Sequence, residues 1–234
     1  MAGQSGQGPQ SPRGRLDARR ALVVRGGWEG HVPVPASDRY AQALKDSGFE
    51  VVVSDSLDSY LDEELLAATD LVVQCWTMGT ITSDQAAGLS RAVRAGTGFA
   101  GWHGGIVDAF RAEPAYSMIT GGQFVHHPPG FVTYQVRPLA GRGGHPALAG
   151  IGPFTITTEQ YYLHVDPAID VLAVTDFVAD PAYPDLADVV MPVTWTRRWG
   201  AGRVFVTAIG HAMADLEVPQ VDAMIRAGMA WAAR

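Results

Sequence analysis

Apolar positions in the first half of the chain fall into short unbroken runs, separated by stretches with a period of three to four residues. Residues 20–26 (RALVVRG), 49–55 (FEVVVSD), 70–76 (DLVVQCW) and 98–103 (GFAGWH) are the runs. A short, nearly continuous apolar run bounded by turn residues predicts a strand buried on both faces. Between them, 37–48 (SDRYAQALKDSG), 61–69 (LDEELLAAT) and 82–96 (TSDQAAGLSRAVRAG) have helical spacing. The last is the clearest helix: Thr82 or Ser83 can cap its first turn and Gly96 can end it. Alternating strands and helices predict an α/β fold with a mostly parallel sheet and helices on both faces. Right-handed crossovers then give a flavodoxin-like, doubly wound core.

The second half reads as β-rich. Strands are expected over 131–139, 154–163, 170–177, 191–200 and 202–211, with 191–199 and 203–209 forming a hairpin across Gly200, Ala201 and Gly202. An amphipathic helix closes the chain over 218–233. Nothing reads as a repeat or an internal linker, so 19–234 is expected to be one domain. Residues 1–18, rich in Gly, Pro, Gln and Ser, are expected to be a disordered tail.

The 234 residues carry a formal net charge of -7, which argues against nucleic acid or an anionic membrane as partner. One cysteine, Cys75, rules out an intrachain disulfide. Apolar runs stay far below the roughly 18–20 residues of a membrane span. The start lacks the apolar stretch of a signal peptide, so a cytoplasmic protein is expected. The sequence leaves association between copies open.

Ligands of open α/β sheets sit beyond the carboxyl ends of the strands. The residues expected there are Trp28, Glu29 and His31, then Asp55, then Cys75 and Trp76, then His103, and finally His211. Three histidines thus fall on strand ends that the fold gathers at one edge. Around His103 the chain reads Gly101-Trp102-His103-Gly104-Gly105, the G-x-S-x-G pattern of a nucleophile elbow with imidazole at the tip. Amides near Gly104 and Gly105 could face a developing negative charge; a plain tight turn is the alternative. In 120–130 (TGGQFVHHPPG), Gly122 allows close backbone approach, and at most one of His126 and His127 would serve a given site if they alternate along a strand. Strand alternation would put Glu159 and Tyr161 on one face; Glu159 is a candidate acid, base or hydroxyl acceptor, or a rim carboxylate. Trp28, Trp76 and Trp102 are candidate stacking surfaces for a sugar ring, unless they belong to the core. Cys75 has no basic neighbour in sequence and reads as buried. Met224, Met229 and Trp231 read as core, and His145 and His164 as structural or exposed.

The segments GTGFAGWHGG, ITGGQFVHHP, EQYYL, MPVTW and GAGRVFVTAIGH, in that order from about Ala21 to Trp231, resemble the ThuA-like, or trehalose-utilisation, family. The resemblance implies a fold related to class I glutamine amidotransferases, which carry Cys at the elbow tip and a later His. By position His103 stands where that Cys would be and His211 looks like the later His. Its usual Glu partner two residues on is missing, since the chain reads Ala212-Met213. The resemblance therefore argues against glutaminase activity and implies use of a disaccharide or keto-sugar. The catalytic candidates are His103, His211 and Glu159. Candidate substrate contacts are His31, Trp28, Trp76, Trp102, Gly104, Gly105, Gly122, His126 and Tyr161. No cofactor is firmly implied; a divalent metal on His31, His103 and His211 is one alternative reading. A non-catalytic binding or scaffold protein is the other.

Overall fold

Side chains of the apolar runs divide between two faces of one sheet. The computed structural model describes residues 19–234, so the tail expected over 1–18 lies outside the described residues. The chain runs through β1 (Arg20–Gly27), α1 (Pro33–Asp46), β2 (Glu50–Ser54), α2 (Glu63–Ala67), β3 (Leu71–Thr77), α3 (Ser83–Ala95), β4 (Gly98–Trp102) and α4 (Gly104–Val107). It continues through α5 (Pro114–Thr120), β5 (Gly122–His126), β6 (Val132–Pro138), β7 (Phe154–Thr158), β8 (Tyr162–Val165) and β9 (Asp170–Asp176). Then come β10 (Val190–Trp199), β11 (Gly202–Thr207), α6 (Met213–Leu216) and α7 (Pro219–Ala232).

The main sheet has the order β2-β1-β3-β4-β11-β10-β9-β6-β7. Neighbours from β2 to β11 pair in parallel, and those from β11 to β7 pair antiparallel. Strands β5 and β8 form a separate antiparallel pair. The period of two is visible in the packing: Ala21, Val23, Leu71 and Val73 enter one core, and Leu22, Val24 and Val72 the other. Helices α1 and α7 cover the first face through Tyr40, Leu44, Met224 and Met229. Helices α3 and α5 cover the second through Leu89, Val93, Tyr116 and Ile119.

Three boundaries, those of α1, β11 and β7, depart from the sequence expectation in ways that shape the site. Helix α1 starts at Pro33 instead of residue 37, because Val32 turns the chain through a left-handed conformation (φ 46°, ψ 51°) and Pro33 suits the first helical position. The helix after His103 is only Gly104–Val107. The expected strand 202–211 ends at Thr207, which leaves His211 on the connection to α6. The expected strand 154–163 breaks at Glu159–Tyr161, where the chain leaves the main sheet for the β5–β8 pair. Side-chain bonds replace the ladder there: Gln160 Nε2 donates to the Asp176 carbonyl, 3.0 Å, and its Oε1 accepts from the Val178 amide, 2.9 Å.

Candidate functional site

Parallel neighbours β1, β3, β4 and β11 end on the same edge, and each hands a polar side chain to one place. Beyond β1, a single turn of 3-10 helix at Glu29–His31 carries His31. His103 follows β4 with φ 47° and ψ −144°, a backbone conformation strained for a side chain with a Cβ. Its amide donates to the Thr207 carbonyl at 2.7 Å, which ties the tip to β11. His211 arrives four residues beyond β11. Glu159 comes from the opposite side of the sheet, from the break after β7, and the Tyr134 hydroxyl holds its backbone carbonyl at 3.1 Å.

The three imidazoles form a triangle, with ring centroids 4.6 Å apart for His31 and His103, 5.0 Å for His31 and His211, and 5.5 Å for His103 and His211. All three point a nitrogen at one oxygen, Oε2 of Glu159. His103 Nε2 is 3.1 Å from it, His211 Nδ1 3.1 Å and His31 Nε2 3.9 Å. The His211 contact is close, yet its Nδ1 has no aligned hydrogen-bond partner. The far nitrogens of the other two are occupied. His103 Nδ1 donates to the Ala208 carbonyl at 2.9 Å, and His31 Nδ1 lies 2.9 Å from the Thr77 hydroxyl. Gly104 makes this approach possible, since a Cβ there would stand 2.3 Å from Cε1 of His31.

Each vertex of the triangle is backed by an aromatic ring. Tyr161 stacks on His103 at 4.1 Å; Trp28 meets His31 edge-on at 4.8 Å, and Phe131 meets His211 at 5.1 Å. Tyr161 is buried, whereas Trp28 and Phe131 are 46% and 57% exposed and rim the cluster. His127, just past the end of β5, points Nε2 at the other Glu159 oxygen from 3.6 Å.

Several sequence candidates go elsewhere. Trp102 is fully buried against Tyr40, 4.7 Å between rings, so it is core and offers no stacking surface. Trp76 lies against Gly26 on the face with Phe110, opposite in register to Thr77 and His31. Gly122 is needed by Trp195, whose Cζ2 would be 2.6 Å from a Cβ. Gly105 packs on the backbone of Cys75. His126 bonds Asp180 at 2.6 Å, away from Glu159. His127, past the last residue of β5, is the one of the pair that faces Glu159, so His127 and not His126 is the candidate here. Phe131, which no carboxyl strand end marks, reaches the rim after the rigid Pro128-Pro129 turn. Cys75, Met224 and Met229 are buried, His164 is exposed, and His145 caps the Ala147 amide beside Trp231.

Burial drives His103 down to about 4, against the opposing hydrogen bond to Glu159. Glu159 would be raised by burial, but its contacts with His103, His211 and His31 outweigh that and hold it well below the usual carboxylate range. His211 is raised by the same carboxylate. The cluster therefore sets an ionised acceptor beside a basic imidazole on its open side. Its four donor atoms, all within 4.8 Å of one another, are also of the kind that can hold a metal ion.

A family model described as "Trehalose utilisation" (ThuA) matches residues 20–232. Two solved structures of ThuA-like proteins share the fold. One, from Parabacteroides merdae, is 16% identical with a TM-score of 0.73, over 92% of this chain and 90% of that one. The other, from Bacteroides uniformis, is 16% identical with a TM-score of 0.72, over 95% of both chains. A cytoplasmic protein of Salmonella typhimurium is 13% identical with a TM-score of 0.61, over 92% of this chain and 100% of that one. Comparison with curated proteins finds no match.

Proposed function

Because the chain belongs to the ThuA family, whose role is trehalose utilisation and so lies in carbohydrate metabolism, we propose that it is an enzyme that processes a disaccharide or keto-sugar at the cluster of His31, His103, His211 and Glu159. The observation that carries this reading is the convergence of three imidazoles on one buried carboxylate oxygen. Glu159, ionised and too weakly basic to take a proton itself, accepts the hydrogen bond of a sugar hydroxyl and stabilises the imidazolium of His211 beside it. His211, more basic and more open than His103, takes the proton from a sugar hydroxyl or from the carbon beside a keto group and returns it to the oxygen that gains charge. His103 and His31 pack around the carboxylate, and Trp28 and Phe131 supply apolar walls for a sugar ring.

The same geometry speaks against glutamine hydrolysis. Thioester formation needs a thiolate, and the elbow tip is imidazole. Cys75, the single cysteine, is buried on β3 with its thiol pushed up to about 12 by burial. The strand order β2-β1-β3-β4-β11 supports reading this part as a flavodoxin-like, doubly wound unit of amidotransferase ancestry, with the β-rich remainder in the same domain over 19–234. A cytoplasmic place is supported by the Salmonella neighbour. Among the described residues no helix is long and apolar enough to cross a membrane. The partner is a small sugar; the net charge of -7 supports exclusion of nucleic acid.

The test is turnover of a panel of disaccharides and their keto derivatives, followed by NMR of the sugar, with glutamine as a control. Conversion of a sugar without ammonia release from glutamine is expected. Ammonia release that depends on His103, or failure to convert every sugar, contradicts the proposal; the second result favours a binding protein.

A further inference from the structure

We infer that His31, His103, His211 and Glu159 form a site for one divalent transition-metal ion of the zinc class, held by three imidazole nitrogens and one carboxylate oxygen. The argument goes beyond the sugar reading and does not depend on it.

Proton accounting at His103 is the starting point. Both ring nitrogens face acceptors: the Ala208 carbonyl at Nδ1, 2.9 Å, and Glu159 Oε2 at Nε2, 3.1 Å. A carbonyl and an ionised carboxylate can only accept, and a neutral imidazole has a single N–H. One contact is then lone pair against lone pair, unless the ring takes a second proton at a position that is 1% exposed. His211 repeats the problem: its Nδ1 is buried, 3.1 Å from the same oxygen, and has no aligned partner. A cation between the donors resolves both contacts. Nδ1–H of His103 stays on Ala208, and the lone pairs of Nε2 of His103, Nδ1 of His211 and Oε2 of Glu159 turn to the ion.

The outer contacts are those that metal-bound histidines need. The Ala208 carbonyl fixes the tautomer and ring plane of His103, and the Thr77 hydroxyl leaves Nε2 of His31 facing the centre. A tetrahedral site with bonds of about 2.0–2.1 Å has its donors roughly 3.4 Å apart. The four donors here all lie within 4.8 Å of one another, so side-chain adjustments of up to about an ångström, at the bond lengths above, would close the site. Three nitrogens and one oxygen suit zinc, with cobalt, nickel and copper as substitutes, and do not suit calcium or magnesium, which take oxygen donors. His211 and Glu159 form the more exposed edge, 15% and 11% against 1% for His103, so an oxygen of a substrate would reach the ion from there.

The experiment titrates the chelator-stripped full chain with zinc by calorimetry and with cobalt by visible absorption, in the absence of sugar. One ion per chain is expected, with the intense visible bands of a tetrahedral cobalt site, undisturbed by excess magnesium. Glu159→Gln and His103→Ala should each weaken binding at least about 100-fold, while His126→Ala binds as the unaltered chain does. Thr77→Val, which removes only the hydroxyl behind His31, should weaken zinc by about 10–100-fold. It keeps the test valid if the His103 variant fails to fold. Absence of one-to-one binding overturns the proposal in favour of a bare imidazolium–carboxylate pair; so does zinc affinity unchanged in both Thr77→Val and Glu159→Gln. Sugar turnover is read separately, so either proposal can fail alone.

Discussion

Gly104 shows how a single residue sets the site. A Cβ at this position would stand 2.3 Å from Cε1 and 2.4 Å from Nδ1 of His31, far inside van der Waals contact. The first helical turn after the elbow cannot yield, because Gly105 packs against Cys75 and Ile106 is buried. His31 must move instead. Gly104→Ala is expected to cost about 1–3 kcal/mol, the usual range for overpacking, and to lose most of the sugar turnover. Thermal melting and turnover check the two effects. Cys75 offers a second test at this scale. Burial raises its thiol from the ordinary value of 9.0 to about 12, only partly offset by Arg25. The folded state then keeps a proton that the unfolded chain loses, so this group's contribution to stability declines from about pH 9 upward as the unfolded thiol ionises. At pH 8, iodoacetamide should label the native chain far more slowly than the chain in denaturant. Equal rates would show an accessible thiolate.

At the scale of elements, α3 is the case in which local signals suffice. Thr82 accepts from the Gln85 amide at 3.2 Å while Gln85 Oε1 accepts from the Thr82 amide at 2.9 Å, a complete capping box, and Gly96 closes the helix at φ 121°. Thr82→Ala should cost about 1 kcal/mol, with turnover unchanged, because the cap bonds Gln85 and none of the histidines. A denaturant titration beside the turnover assay checks this. Strands β1, β3 and β4 were legible for a related reason: burial on both faces leaves nearly continuous apolar runs. The break at Glu159 was not legible. Thr157, Thr158, Tyr161 and Tyr162 all favour strands, and what ends β7 is a set of distant partners, Asp176, Val178 and Tyr134, that no local pattern reveals. The same limit hid the place of His127. Its side chain is set by a strand that ends one residue earlier and by the Pro128 carbonyl that receives its Nδ1 at 2.7 Å.

At the scale of the whole molecule, the site exists because two kinds of sheet meet. The parallel part gathers His31, His103 and His211 at one edge, as the placement of residues just beyond strand ends implied. The antiparallel part, β10-β9-β6-β7, brings the carboxylate to them from the far side. Its strand order is not written in any local pattern, since β6 and β9 pair across more than thirty residues, Arg137 with Val174 and Pro138 with Ala173. The anchor of that arrangement is Asp215, buried at the start of α6, which accepts from the Thr158 hydroxyl at 2.6 Å and joins the end of β7 to the segment after His211. Asp215→Asn should therefore leave the fold largely intact but loosen Glu159 against His211, lowering kcat more than KM. A change confined to KM would show that Asp215 does not position the reacting groups.

The central claim is that the ionised Glu159 makes His211 the reacting base. The most direct measurement is kcat/KM of Glu159→Gln against the unaltered chain, on the disaccharide or keto-sugar that the panel identifies, with both proteins matched by circular dichroism. Glutamine keeps the size of the side chain and removes the charge around which all three histidines are arranged. The account predicts a fall of about 10²–10⁴, the range for loss of general acid–base catalysis, because His211 without the carboxylate loses its raised basicity. A Glu159→Gln variant that is folded and within about threefold of the unaltered chain, far short of that range, would contradict it.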